Sequence, residues 1–321
     1  MPSLTALFVG LGSIGTRHLN NLAALCAQRG LTLRADALRS DPARPLRPGA
    51  AELLHAQFTA LDDPAALPRY DLAFITNPTS LHAGALKLLR GRAGALFIEK
   101  PIVSAEQADV DLDALVPAGQ KAYVAAPMRW CGAMLALKRR LASGADGAPY
   151  CARVICSSYL PDWRPGVDYR TVYSARRALG GGVTIDLIHE WDYLVDLFGP
   201  PCELYNFKGQ YSELEVDSDD VSLYIARWPR MLGEVHLDYF GRGYRRSIEL
   251  FTPSGSLAAD FGAGTLTLPD GTVEQYPEDV NRRYLREMEY FLDYALGDEP
   301  ESLNPPATAL AVLNLTLGKQ G

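Results

Sequence analysis

The sequence predicts an α/β protein of two domains: an amino-terminal doubly wound parallel sheet, then an α+β domain built on a large, mostly antiparallel open sheet. Three observations carry this. Strand-like and helix-like segments alternate through the first part of the chain. A glycine cluster, Gly10-Leu11-Gly12-Ser13-Ile14-Gly15, lies between the first strand and the first helix. Beyond Met128 the rhythm changes and strands dominate. The length, 321 residues, suits two domains, expected at 1–127 and 128–321, each able to bury a core. Hydrophobic residues at 48% and charged residues at 21% are the proportions of a folded, soluble globular chain.

In order, Leu4 to Val9 reads as a buried strand, and a helix from Ser13 to Arg29 draws its apolar face from Ile14, Leu19, Leu22 and Leu25 before Gly30 ends it. Leu31 to Leu38 is the second strand, and a Pro-rich connection leads to an expected helix over Ala50 to Ala56. A strand at Asp71 to Thr76 stops at Asn77-Pro78; a helix at His82 to Arg90, a strand at Leu96 to Glu99 and a strand at Tyr123 to Ala126 complete the first domain. In the second, a helix over Ala133 to Ala142 precedes a strand at Tyr150 to Ser158 and a long loop, Tyr159 to Leu179, rich in aromatic residues and arginine. Gly180-Gly181-Gly182 opens a helix expected from Thr184 to Leu197. Strands are expected at Glu203 to Gly209, Asp220 to Trp228, Met231 to Phe240, Arg245 to Thr252 and Ser256 to Asp260, with a hairpin turning on Pro269-Asp270-Gly271. Helices near 281–296 and 307–317 close the chain.

Composition excludes several roles. Lys plus Arg number 31 against 38 for Asp plus Glu, a net charge of −7, which argues against nucleic acid as a partner. Five cysteines, an odd number without paired short spacings, read as free thiols in a reducing cytoplasm, with no metal site. No apolar run approaches the roughly 20 residues that span a bilayer, and the apolar start lacks a basic leader, so a cytoplasmic protein is expected.

The glycine cluster fits G-x-G-x-x-G in the setting that gives it meaning, after a strand and opening a helix. Gly10 permits the tight turn, Gly12 lets a pyrophosphate approach the backbone, and Gly15 allows the helix to pack against the sheet, while the helix amino terminus offers N–H groups to phosphates. NAD(P) is the implied cofactor. At the second strand, Asp36 lies at the distance of a ribose-binding carboxylate, yet the strand runs on to Leu38 and leaves Arg39 and Ser40 at its end. A guanidinium with a hydroxyl suits a phosphomonoester, so the sequence leans toward NADP, with ribose binding by Asp36 as the alternative.

The Gly10 to Leu22 stretch, Ile75-Thr76-Asn77-Pro78-Thr79-Ser80-Leu81-His82, Phe97-Ile98-Glu99-Lys100-Pro101 and Gly180-Gly181-Gly182-Val183-Thr184-Ile185-Asp186 together resemble the Gfo/Idh/MocA family, glucose-fructose oxidoreductase, inositol dehydrogenase and relatives. The resemblance covers essentially the whole chain. It implies a Rossmann domain and NAD(P)-dependent oxidation or reduction of a sugar, cyclitol or sugar nucleotide. It also implies a cofactor held by Gly10, Gly12, Ser13, Ile14, Gly15, Asn77, Pro78, Thr79, His82, Glu99 and Lys100, a cis Lys100-Pro101 bond, and a homodimer or homotetramer formed through the carboxyl-terminal sheet.

Lys100 falls at the carboxyl end of a parallel strand, where its ammonium can hydrogen-bond a reacting oxygen. In the helix after Gly182, Leu187, Trp191, Leu194 and Phe198 form a core stripe, and Asp186, His189, Glu190 and Tyr193 share another face. The family pattern places a histidine or tyrosine four residues beyond the aspartate. Here His189 stands at plus three and Glu190 at plus four. His189 is the expected base, oriented by Asp186, because its ordinary pKa suits proton transfer near neutrality; Glu190 is the rival base or the partner of Arg176 or Arg177. His18 reads as a helix-surface residue. Substrate contacts are expected from Arg129, Trp163, Arg164, Tyr169 and Tyr173 as well as Lys100, Asp186 and His189, and Arg39, Arg129, Arg164 and Arg170 would make one cleft locally basic, favouring an anionic substrate. Two other classes share these features: a redox-neutral epimerase or glycosidase-like enzyme with tightly held NAD, and a non-catalytic NAD(P)-sensing protein.

Overall fold

The computed structural model describes residues 2–41, 43–59 and 67–319, which form two compact units. The first contains the chain up to Ala125 together with Tyr284–Leu310, and the second contains Ala126–Arg283 together with the residues from Ala311 onward.

The first unit holds β1 (Ser3–Val9), α1 (Ser13–Gln28), β2 (Thr32–Leu38), β3 (Leu54–Phe58), β4 (Tyr70–Ile75), α2 (His82–Leu89), β5 (Ala93–Ile98), α3 (Leu112–Leu115) and β6 (Lys121–Val124). Its strands are all parallel in the order β3-β2-β1-β4-β5-β6. The inner strands β1, β4 and β5, buried on both faces, read as near-continuous apolar runs, and Leu7, Phe8, Phe74 and Phe97 have no exposed surface. Strand order reverses between β1 and β4, where Phe8 pairs with Ala37 on one side and Phe74 on the other. Open sheets of this kind take ligands outside the carboxyl ends of the strands at such a point.

Two expectations change here. The helix expected over Ala50 to Ala56 is absent: residues 48–53 are turns and 54–58 form β3. Ala-Ala-Glu-Leu-Leu favours helix locally, but alternating Leu54, Ala56 and Phe58 half-bury against the sheet while the backbone pairs with β2, and that pairing prevails. Residues 284–310, which the sequence reading assigned to the second domain, lie in the first unit. Phe291 packs edge-on to Phe74 and Phe97 with centroids 5.6 and 5.1 Å away, Tyr123 donates to Glu287 at 3.0 Å, and the Val124 N–H donates to the Asn304 carbonyl at 2.9 Å.

The second unit holds α4 (Gly132–Ser143), β7 (Cys151–Tyr159), α5 (Val183–Asp186), α6 (His189–Phe198), β8 (Glu203–Gly209), β9 (Val221–Trp228), β10 (Met231–Asp238), β11 (Phe240–Thr252), β12 (Gly255–Asp260), β13 (Thr265–Thr267) and β14 (Val273–Gln275). The last two helices are α7 (Val280–Leu296) and α8 (Pro306–Thr316). The sheet runs β14-β13-β12-β11-β7-β10-β9-β8, antiparallel except for β10 against β7. The hairpin turn forms on Pro269-Asp270-Gly271, with Leu268 N–H donating to Thr272 O at 2.8 Å. One face of the sheet packs on α6, where Trp191 meets the rings of Tyr224 and Trp228. Among the described residues no helix is long and apolar enough to cross a membrane.

Candidate functional site

In the first unit the loops after β1 and β4 touch. Gly10 has φ +90°, and a Cβ there would lie 2.7 Å from the Asn77 Cα; the Thr76 hydroxyl donates to the Gly10 carbonyl at 2.6 Å. At Gly12 a Cβ would meet nothing within 4 Å, so the space a side chain would fill is open. The first turn of α1, beginning at Ser13, Ile14 and Gly15, has neither a side-chain cap nor an acidic residue. Free N–H groups at a positive helix end beside an open glycine fit a pyrophosphate, the anionic centre of a dinucleotide. Asn77 and Thr79 are half-buried and Pro78 is exposed in the β4 loop.

Lys100, half-buried, follows β5, and the Lys100-Pro101 bond is cis. Glu99 anchors this turn: one carboxylate oxygen accepts from the Lys100 N–H at 3.2 Å and the other from His18 Nε2 at 2.6 Å. His18 is therefore not a surface residue; it is fully buried, 4.7 Å from the Phe97 ring. Burial works to raise the Glu99 pKa, but the His18 hydrogen bond, the His18 charge and Lys100 outweigh it and hold the carboxyl below its ordinary value. His82, expected to contact cofactor, is 1% exposed, with Nδ1 3.0 Å from the Pro101 carbonyl and Nε2 3.0 Å from the Asn77 carbonyl. It is committed to the backbone, joining the two loops that carry Asn77-Pro78-Thr79 and Lys100.

At the end of β2 the carboxylate of Asp36 is internal, accepting from the Tyr70 hydroxyl at 2.9 Å with His55 Nδ1 at 3.2 Å. Arg39 turns back to Gln57 Oε1 at 2.8 Å and to the Arg44 carbonyl, while Ser40 is exposed.

In the second unit Asp186 and His189 line one cavity of about 540 Å³. The expected single helix breaks between them, with Leu187 capping α5 outside helical geometry before α6 starts at His189. Gly182 makes the entry possible: its φ is +133°, and a Cβ would lie 2.4 Å from Asp219 Oδ1, whose carboxylate caps Thr184 N–H at 2.9 Å. Asp186 is clamped by two phenols, Tyr173 on Oδ1 and Tyr239 on Oδ2 at 2.6 Å. Burial, then the Asp186 charge, push both hydroxyls well above the ordinary tyrosine value, so they remain donors.

Glu190 is no longer a candidate base. It is fully buried, and its two oxygens accept from Arg246 Nε at 2.7 Å and Nη2 at 2.9 Å; Arg176 and Arg177 are not its partners. Position plus four is thus turned inward, and plus three, His189, lines the cavity. Tyr193, expected on the same face, is also fully buried.

The expected basic cleft largely dissolves. Arg129 is 5% exposed, forked on Asp192 at 2.9 and 2.7 Å with Asp196 at 3.1 Å. Arg170 is paired with Asp168 and Glu215. Arg164 lies 5.9 Å over the Tyr173 ring, and with Tyr169 it faces a second recess of only about 10 Å³, room for no more than a water molecule. Trp163 does line the large cavity and donates to the Ser158 hydroxyl at 3.0 Å.

Sequence reasoning missed Tyr239, Tyr159, Arg242, Tyr244 and Arg246. Gly241 and Gly243 flank Arg242 between the strands expected at Met231 to Phe240 and Arg245 to Thr252, a stretch that reads as a connection and that the structure makes part of β11. Cys156 also lines the cavity, but burial pushes its thiol far above the ordinary value, leaving it unreactive. The cysteines are all free, and among the described residues no group of His, Cys, Asp or Glu is set to hold a metal.

A parallel sheet with a phosphate-binding glycine loop, joined to an open-sheet unit carrying an Asp/His cavity, defines a two-unit, dinucleotide-binding oxidoreductase. The chain belongs to the GFO/IDH/MocA family: residues 4–125 match the model described as oxidoreductase family, NAD-binding Rossmann fold, and residues 134–258 match the GFO/IDH/MocA C-terminal domain. No curated protein matches the sequence. Among solved structures, levoglucosan dehydrogenase in complex with NADH and levoglucosan aligns with a TM-score of 0.80 at 17% identity, covering 98% of this chain and 95% of that one. The Bordetella pertussis WlbA dehydrogenase, in complex with NADH and UDP-GlcNAcA, aligns at 0.78 and 18%, covering 98% and 94%. An Agrobacterium radiobacter oxidoreductase, in complex with NAD+, L-tartaric acid and magnesium, aligns at 0.79 and 17%, covering 98% and 95%.

Proposed function

We propose that this chain is an NAD(P)-dependent dehydrogenase or reductase acting on a CH–OH carbon of a sugar, sugar acid or nucleotide sugar. The observation that carries the reading is Asp186 and His189 on the wall of one cavity, Asp186 clamped by Tyr173 and Tyr239. The levoglucosan and UDP-GlcNAcA complexes of the structural relatives support a sugar-type substrate.

Gly10, Gly12 and the first turn of α1 would hold the dinucleotide by its pyrophosphate, and its nicotinamide would supply the hydride acceptor or donor. The Lys100 ammonium hydrogen-bonds the reacting oxygen and stabilises negative charge there as the hydroxyl loses its proton. His189 takes that proton in oxidation and returns it in reduction. Asp186, rigid between two phenols, presents a fixed acceptor to a substrate hydroxyl. A lean toward NADP draws on Asp36 being engaged internally with Tyr70, which leaves the exposed Ser40 after the strand; Arg39 is itself held by Gln57 and the Arg44 carbonyl and would have to turn outward to meet a phosphate. The test is a panel of sugars, sugar acids and nucleotide sugars followed by NAD(P)H absorbance with each cofactor in turn. Net absorbance change with at least one sugar-type compound is expected; cofactor that stays bound through turnover without any net change would contradict the reading.

A homodimer or homotetramer through the sheet is supported by its outer face. Tyr205 and Phe207 of β8, Leu223 and Ile225 of β9 and Leu232 of β10 are all exposed, and the pairs Tyr205–Ile225 and Phe207–Leu223 stand side by side. Val221 and Trp228 at the ends of β9 are buried. A contiguous apolar row on one face marks an interaction surface.

A further inference from the structure

Resting on that reading, we propose that Arg242 is an anion-binding residue of the cavity, and that the substrate carries a carboxylate or phosphate group beside the carbon chain that is oxidised or reduced. The residue is delivered by a bulge. Between the pairs Phe240–Tyr159 and Arg245–Ser157, residues 241–244 of β11 stand opposite a single residue of β7, Ser158. Extra residues in one strand re-aim side chains out of the ladder, a device common beside functional sites. The bulge is anchored: Asp238 Oδ1 accepts the N–H groups of Phe240 at 3.0 Å and Gly241 at 2.7 Å, and a Cβ at Gly241 would lie 1.8 Å from the Ser157 hydroxyl oxygen.

Arg242 and Tyr244 of this bulge line the cavity that holds Asp186 and His189. The Arg242 guanidinium carbon sits 3.8 Å from the centroid of the Tyr159 ring. Stacking at that distance covers a face of the guanidinium and leaves its in-plane N–H edge, the edge that forks on carboxylates and phosphates, open. Among the described residues Arg242 makes no ion pair, in contrast to Arg129, Arg170 and Arg246. The other carboxylates on the cavity are Asp162 and Asp186, and both oxygens of Asp186 already accept from tyrosines. A stacked, unpaired guanidinium on a built bulge calls for a negative charge on the ligand.

The experiment compares matched pairs on the full-length protein: glucuronate with glucose for the carboxylate, and glucose 6-phosphate and UDP-glucose with glucose for the phosphate. Binding is measured by calorimetry with reduced cofactor present, and turnover by NAD(P)H absorbance, for the wild type, Arg242→Gln and Arg242→Lys. An acidic member binding about tenfold or more tightly than glucose, a preference lost in R242Q and partly kept in R242K, is expected. The pair that shows it tells carboxylate from phosphate. Equal binding of acidic and neutral members, or a preference that R242Q retains, would overturn the proposal and leave the dehydrogenase reading standing. Arg242-dependent binding without turnover of any member would support the anion site and count against the dehydrogenase reading.

Discussion

Glu190 holds Arg246 through two hydrogen bonds, Nε to Oε1 at 2.7 Å and Nη2 to Oε2 at 2.9 Å, and is itself wholly buried. By the family spacing the position four residues beyond Asp186 belongs to a histidine or tyrosine; here it neutralises an arginine of the sheet, and the function proposed above assigns the proton to His189. Removing one partner of such a pair costs about 3–5 kcal/mol. Glu190→Ala is expected to lose that much unfolding free energy in urea titrations. Glu190→Gln should keep turnover within about tenfold, whereas His189→Ala should lose about 100-fold or more. The reverse ranking in steady-state kinetics would make Glu190 the base.

Tyr239, fully buried, donates to Asp186 at 2.6 Å. Tyr239→Phe leaves a carboxylate oxygen without its donor, a loss of about 1–3 kcal/mol that thermal or urea unfolding would register. Because Asp186 also loses its fixed orientation, kcat should fall more than KM rises. Unchanged kcat with intact folding would show that the phenolic clamp has no part in turnover.

The Glu99 carboxyl is held below its ordinary pKa, burial opposing and His18 with Lys100 prevailing. A depressed acid contributes stability that is present above its unfolded pKa and is lost as pH falls through the folded value. Wild-type protein should therefore exceed Glu99→Gln in unfolding free energy at pH 7, and the gap should close progressively as pH drops below about 4.3. A gap that widens on acidification would contradict the assignment.

Phe207 and Ile225 are 75% and 54% exposed on the outer sheet face. If that face joins copies of the chain, Phe207→Glu with Ile225→Glu should lower the mass seen by light scattering to that of the 35.0 kDa monomer while leaving the circular dichroism unchanged. An identical mass for the wild type and the double variant would show that this face does not join copies of the chain.

Much of the fold was legible because its signals are local. The buried strands around Phe8, Phe74 and Phe97, the glycine loop at Gly10 and the turn at Pro269-Asp270-Gly271 each carry their own pattern. The placement of Lys100 after a parallel strand and of Asp186 beyond the glycine triplet was legible because motifs fix it. It was not legible where the partner is distant in sequence. Arg129 looks available until Asp192 and Asp196, 63 and 67 residues on, are seen to hold it, and Glu190 looks titratable until Arg246, 56 residues on, closes over it. Residues 54–58 were misread because helix-forming residues yield to a strand only through pairing with β2.

Lys100, whatever it adds to holding the cofactor, is proposed to act in hydride transfer. With a substrate found in the sugar panel, single-turnover NAD(P)H absorbance is compared between wild type and Lys100→Ala, alongside cofactor titration by fluorescence. The account predicts a rate lower by about 100-fold or more with cofactor affinity within a few-fold of wild type. Undiminished transfer in Lys100→Ala would contradict it.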